Sequence, residues 1–85
     1  MKMVGGDLLI EVMELLGQIE EDTSVPRNVK FRVKNALIAL QGKQRSLAVR
    51  IDASIQELDE CCDDPNLPSY ARMQIWDVVS KLETI

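Results

Sequence analysis

The stretch EEDTSVPRNVK, residues 20–30, places three carboxylates, a Thr-Ser pair and a proline in front of an amphipathic segment. The stretch CDDPNLPSYAR, residues 62–72, repeats this arrangement later in the chain. Asp22 then aligns with Asp64 and Pro26 with Pro68, an offset of 42 residues (64 − 22). The offset predicts that the chain is built from two repeat-related helical hairpins.

Apolar residues recur at helical spacing through four segments, approximately residues 7–21, 25–41, 46–62 and 67–84. The four apolar stripes are Leu9, Val12, Met13, Leu16 and Ile19; Val29, Val33, Ala36, Leu37 and Leu40; Leu47, Ile51, Ile55, Leu58 and Cys62; and Ala71, Ile75, Val78, Val79, Leu82 and Ile85. No segment shows the alternation of a strand. The pattern predicts an all-α fold, a four-helix up-and-down bundle whose short loops make successive helices antiparallel.

The residues before the prolines are interpreted as helix start signals. Ser24 and Asn66 are predicted to be the N-caps of the second and fourth helices. Pro26 and Pro68 would then fall in the first helical turn, where a missing N–H removes no intrahelical hydrogen bond. The neighbouring carboxylates would lie beside helix N-termini, which favour negative charge.

The composition fits one domain, residues 1–85, in which residues 1–6 are expected to form a flexible N-terminal tail. The chain has 85 residues, 46% of them apolar, and a net charge of −4. No apolar run reaches the roughly 20 residues that a membrane span needs, and no signal-peptide pattern is present. Cys61 and Cys62 are adjacent and cannot link distant segments, so we expect them to be reduced and structural. We therefore expect a cytoplasmic protein that does not associate with membranes.

The sequence offers little for catalysis. It contains no histidine, and no nucleotide-binding or metalloprotease motif is present. We expect no enzyme activity, no catalytic residue and no cofactor. The carboxylates near the two loops can be read either as ligands of a divalent cation or as partners of the helix dipoles. Because their spacing matches no EF-hand loop, we expect no metal site; these residues are Glu20, Glu21, Asp22, Asp63 and Asp64.

Basic residues are concentrated between residues 27 and 50, a range that contains no acid. On a helical wheel Arg27, Lys30 and Lys34 share the outer face of the second helix with Phe31 and Ile38. This basic stripe is a candidate nucleic-acid surface. The alternative is a solvated face that complements the acidic first and third helices, which the negative net charge favours.

Four large apolar side chains lie about 110–180° from the core direction of their helices, at about 100° per residue. They are Phe31, Ile38, Met73 and Trp76. Either the core is wide enough to include them or they form a surface for a protein partner or a second copy of the chain. We expect a protein-interaction or self-associating helical module, and a nucleic-acid-associated protein is the alternative.

Two resemblances accompany this interpretation. The 42-residue period resembles that of HEAT repeats, in which each unit is a helical hairpin. The stretches EEDTSVPRNV, SLAVRI, DPNLP and ARMQIWDVVSKLETI together resemble the archaeal uncharacterised protein family one-four-seven. The resemblance runs from about Leu9 to Ile85 and implies a four-helix protein of unknown function. It implies no catalytic or ligand-binding residue.

Overall fold

Four α-helices make up the secondary structure of residues 5–43 and 45–85, which the computed structural model describes; no strand occurs among them. The helices are α1, Gly5–Glu21; α2, Arg27–Gln41; α3, Leu47–Cys62; and α4, Ser69–Glu83. The predicted all-α fold is therefore confirmed. Of the expected N-terminal tail, residues 1–4 lie outside the described residues, and Gly5 and Gly6 belong to the backbone of α1.

The helices pack in a ring. α1 contacts α2, α2 contacts α3, α3 contacts α4, and α4 contacts α1, whereas the described parts of the diagonal pairs are not in contact. The most extensive of these contacts joins α2 and α3. The bundle measures 34 × 30 × 19 Å. Each helix therefore buries one side and leaves the opposite side to solvent.

Most of the core comes from the stripes that the sequence predicts, but α3 buries Ser54, Leu58 and Cys61, whereas Ile51, Ile55 and Cys62 of its predicted stripe are only half-buried. The buried apolar residues of the core are Val12, Leu16, Ile19, Val25, Val29, Val33, Ala36, Leu40, Leu58, Cys61, Leu67, Ala71, Ile75, Val78 and Leu82. Leu37 is only half-buried and packs against the edge of this core. Leu47, which the third stripe includes, is an exposed residue because it lies in the first turn of α3, at the end of the bundle.

The predicted N-caps are wrong. α2 begins at Arg27 and α4 at Ser69, so Pro26 and Pro68 are the capping positions and Ser24 and Asn66 lie in the preceding turns. The proline carbonyls accept the first helical hydrogen bonds, from Lys30 and Arg72, each at 3.0 Å. The late start of each helix is caused by the aspartate two residues before the predicted N-cap. The Asp22 side chain accepts the Ser24 N–H, and Asp64 accepts the Asn66 N–H, which holds both turns outside the helix.

These turns also add two core residues that the stripes omit. The Val25 N–H donates to the Asp22 carbonyl at 3.1 Å, and the Leu67 N–H donates to the Asp64 carbonyl at 3.2 Å. With the turns fixed in this way, Val25 and Leu67 are both buried. The turn before each proline therefore completes the core at this end of the bundle as well as starting a helix.

Ser54 is the buried polar residue of α3, and its hydroxyl has no hydrogen-bond partner among the described residues. We expect Ser54→Ala to raise the free energy of unfolding by about 1 kcal/mol, because it removes a desolvated, unpaired hydroxyl without creating a large cavity. Urea unfolding followed by circular dichroism measures the change. Ser80→Ala, on the exposed side of α4, controls for the higher helix propensity of alanine. Equal effects of the two substitutions would contradict the expectation.

Candidate functional site

The two acidic loops lie together at one end of the bundle. The Tyr70 hydroxyl of α4 donates to Asp22 Oδ2 at 2.7 Å, and the Asn28 amide of α2 donates to Asp64 Oδ2. Asn28 and Tyr70 are separated by the same 42 residues as Asp22 and Asp64. Each hairpin therefore supplies an acid that accepts a hydrogen bond from the helix of the other hairpin.

These hydrogen bonds favour the ionised form of the two acids. The bonds from Tyr70 and then from the Ser24 N–H lower the pKa of Asp22, and those from Asn28 and the Asn66 N–H lower the pKa of Asp64. When folding lowers a carboxyl pKa, the ionised carboxylate stabilises the folded protein at pH values above the ordinary pKa. This contribution is lost as the pH falls through the lowered pKa. In residues 5–43 and 45–85, no group of three or more acids or cysteines is arranged to hold a metal ion. The role that the structure shows for Asp22 and Asp64 is to join the hairpins.

The predicted basic stripe forms a shallow groove. Arg27, Lys30, Phe31 and Lys34 of α2 line it, and Glu20 of α1 forms its far wall. These four α2 residues are called the basic face below. None of its three cations makes a salt bridge with a described residue.

Arg32, by contrast, points to α3. Its guanidinium lies 3.4 Å from a Glu57 carboxylate oxygen and also pairs with Glu60. The expected charge complementarity between α2 and α3 is therefore present at Arg32. It does not extend to the three cations of the basic face, which remain available to other groups.

The outer side of α4 carries an apolar patch, in addition to Phe31 on α2. Met73 and Trp76 are one turn apart, and Trp76 lies beside the Cys62 thiol at the end of α3. Burial and the nearby carboxylates of Asp59 and Asp63 raise the pKa of that thiol, while Arg72 and the Trp76 contact act in the opposite direction. The set Asp59, Asp63, Met73 and Trp76 is called the acidic face below.

The four apolar residues that were predicted to lie either in a wide core or on a surface are all exposed. Phe31 and Met73 are each 65% exposed, Trp76 is 56% exposed and Ile38 is 55% exposed, so none belongs to a widened core. They do not form one surface, because α2 and α4 are diagonal helices that do not pack on each other. Their role in binding a partner stays a prediction.

The two cysteines are free, and they differ in burial. Cys61 is buried, with its Sγ 3.8 Å from the Val29 carbonyl oxygen. Burial raises the pKa of the Cys61 thiol to about 12. The thiol is therefore protonated at neutral pH and acts as a small apolar group in the core.

A further cleft, of about 550 Å³, lies between the end of α2 and the start of α3. Its lining residues are Asn35, Ile38, Ala39, Gly42, Lys43, Arg45, Arg50 and Ala53. The sequence prediction missed it, although the cluster of three cations after Gly42 was a visible signal. No helix in the described part of the chain is both long and apolar enough to cross a membrane.

Comparison with known proteins agrees with this structure. The sequence pattern of the uncharacterised protein family UPF0147 matches residues 3–85. The chain belongs to this family. A UPF0147 protein of Aeropyrum pernix is 45% identical over 73 residues, which cover 86% of this chain and 80% of that protein. One from Pyrococcus furiosus is 40% identical over 74 residues, with 87% and 80% covered. The resemblance found in the sequence is thus confirmed.

Solved structures of similar proteins share the fold. A crystal structure of a protein of unknown function superposes with a TM-score of 0.95 at 44% identity and covers 100% of this chain and 97% of the other. A UPF0147 protein from Thermoplasma acidophilum gives a TM-score of 0.89 at 34% identity, with 93% of each chain covered. These matches show the four-helix fold and a family of unknown function.

Proposed function

We propose that the protein is a non-catalytic helical module of the cytoplasm that self-associates through the outer sides of α2 and α4. The exposure of Phe31, Ile38, Met73 and Trp76 carries the proposal. Phe31 and Ile38 are two turns apart on one helix, and Met73 and Trp76 are one turn apart on the other, so each helix presents a patch rather than a single side chain. Two free, adjacent cysteines are consistent with a reducing compartment.

The energetics favour a contact that uses both patches. Burying one large apolar side chain contributes about 1.5–3 kcal/mol. Association costs roughly 4–15 kcal/mol in lost translational and rotational freedom. One patch alone therefore gives weak binding, whereas a contact that buries Phe31 and Ile38 of one molecule against Met73 and Trp76 of another is able to exceed this cost.

Charge complementarity is the argument for a second copy of the chain as the partner. The basic face carries Arg27, Lys30 and Lys34. The acidic face carries Asp59 and Asp63, and Arg72 beside them donates to the Cys62 and Asp64 backbone carbonyls. The two faces lie on different helix pairs of the same molecule, so they are available to each other only between molecules. Opposite potentials across an interface favour association and fix its orientation. We infer a heterologous contact, basic face to acidic face.

Sedimentation velocity tests the proposal on the wild-type protein at about 10–100 μM, where an interface of micromolar affinity is populated. We expect the mean size to rise with concentration, and Phe31→Glu and Trp76→Glu each to remain monomeric. Ile10→Glu is the matched control, because Ile10 is also an exposed apolar residue but lies on α1 outside both faces. Circular dichroism checks that every variant is helical. A wild type that is monomeric throughout this range would overturn the proposal.

The basic face supports a second candidate function, association with single-stranded nucleic acid. Phe31 is exposed among three cations, which is the combination that stacks a base and contacts phosphates. The Glu20 wall and the net charge of −4 oppose it. The measurement that separates the two functions is salt dependence. Phosphate binding falls steeply as salt rises, whereas an interface dominated by apolar burial keeps most of its affinity.

A further inference from the structure

The cleft between α2 and α3 is separate from the groove of the basic face. Its volume of about 550 Å³ lies within the range of roughly 300–1,000 Å³ that is usual for small-molecule sites. Ile38, Ala39 and Ala53 give it an apolar wall, and Asn35 adds an amide. It therefore has room for an organic molecule rather than for a single ion.

Three cations line the cleft, and none of the described residues that line it is acidic. Lys43 and Arg45 follow Gly42 after the end of α2, and Arg50 extends from α3. Three positive side chains around one concavity match a group that carries more than one negative charge.

Arg50 is held in place before any ligand binds. Its Nη1 donates to the Leu40 carbonyl oxygen at 3.1 Å, which fixes the guanidinium against the C-terminus of α2. Its Nε is buried and has no hydrogen-bond partner among the described residues. The buried Nε is out of reach of a ligand, but the bond to the Leu40 carbonyl restricts the rest of the guanidinium, which reduces the entropy lost on binding.

We propose that this cleft binds a small organic phosphate ester. The phosphate groups lie against Lys43, Arg45 and Arg50, and the less polar body of the ligand packs on Ile38, Ala39 and Ala53. A nucleoside diphosphate has both parts and is a suitable probe. The cleft shares Ile38 with the outer side of α2 that the proposed self-association uses, so ligand binding is tested on a variant that does not associate.

Amide chemical shifts of the ¹⁵N-labelled protein, measured in the Trp76→Glu background to suppress association, test the proposal with ADP, with sodium pyrophosphate and with a single-stranded DNA oligonucleotide. We expect ADP to shift the amides of Ile38, Ala39, Gly42 and Ala53 and to saturate with a Kd of about 0.1–1 mM. Pyrophosphate should bind more weakly at the same place. The oligonucleotide distinguishes a free phosphate ester from a nucleic-acid chain.

Matched variants identify the groups responsible. We expect Lys43→Gln with Arg45→Gln to weaken ADP binding at least about tenfold, because two charge-assisted contacts are lost. Arg27→Gln with Lys34→Gln removes the same charge outside the cleft and should change the Kd by less than about twofold. Ile38→Ser should weaken ADP binding and leave pyrophosphate binding unchanged. Absence of ADP shifts at about 5 mM, equal losses in the two double variants, or tighter binding of the oligonucleotide than of ADP would each overturn the proposal.

Discussion

Replacing Leu58 by alanine is expected to lower the free energy of unfolding by about 2–5 kcal/mol. The side chain is 0% exposed and lies on the buried side of α3, so its removal leaves a cavity that the surrounding helices fill only in part. Leu16, which occupies the equivalent position of α1 at the 42-residue offset, is also 0% exposed and should show a loss of similar size. Because domains of this kind are stabilised by only about 5–15 kcal/mol, the double variant should be largely unfolded.

Urea unfolding of the two single variants, followed by circular dichroism, measures these losses. Leu47→Ala is the control, because Leu47 is 38% exposed in the first turn of α3 and its truncation should cost less than about 1 kcal/mol. Leu37→Ala should lie between the two groups, since Leu37 packs on the edge of the core. A loss at Leu58 no larger than that at Leu47 would show that α3 packs differently.

The success of the sequence prediction has a simple physical origin. An apolar stripe is visible in the sequence because burial imposes the period of the helix, so Leu16, Val33, Leu58 and Ile75 were found without knowledge of the fold. The same geometry placed Phe31 and Met73 on the far side of their helices, where the structure has them. Both inferences need only one helix at a time.

Features that depend on competing local hydrogen bonds were predicted less well. Ser24 has a side chain suited to an N-cap, but the Asp22 carboxylate takes its N–H and delays the helix until Arg27. Ser54 lies beside the predicted third stripe rather than in it, and only the packed bundle shows that it is buried. The α2–α3 cleft was missed for a related reason. Two of its cations, Lys43 and Arg45, lie between α2 and α3, where helical periodicity gives no information on their position.

The hydrogen bonds of the turns recur at the same offset as the sequence pattern. Asp22 and Asp64 make equivalent bonds within their own turns, and each accepts a bond from the opposite hairpin. Duplication of a hairpin stays a prediction, but this recurrence is what a two-fold arrangement of equivalent hairpins requires. On such a framework, Phe31 and Met73 occupy equivalent positions on opposite sides of the bundle. The two sides differ in the charged residues that surround Phe31 and Met73.

A mixing experiment follows from a heterologous contact. Phe31→Glu damages the basic face and keeps the acidic face, while Trp76→Glu does the reverse. Each variant alone lacks one half of the contact and should be monomeric. An equimolar mixture again contains one intact copy of each face, so we expect a one-to-one heterodimer. Its affinity should exceed the self-association of either variant by about 30- to 100-fold, the effect expected when an aromatic anchor worth 2 kcal/mol or more is restored.

Sedimentation velocity of the mixture, compared with each variant at the same total concentration, measures this recovery. The matched control is a mixture of Trp76→Glu with Met73→Glu, in which both partners lack the acidic face and no heterodimer should form. Raising the salt concentration should weaken the heterodimer without abolishing it, because charge orients the contact while apolar burial supplies most of the affinity. A contact between two like α4 faces predicts a different pattern, in which Phe31→Glu alone still dimerises and mixing it with Trp76→Glu adds nothing. That pattern would place the interface on α4 and leave the basic face of α2 free for another ligand.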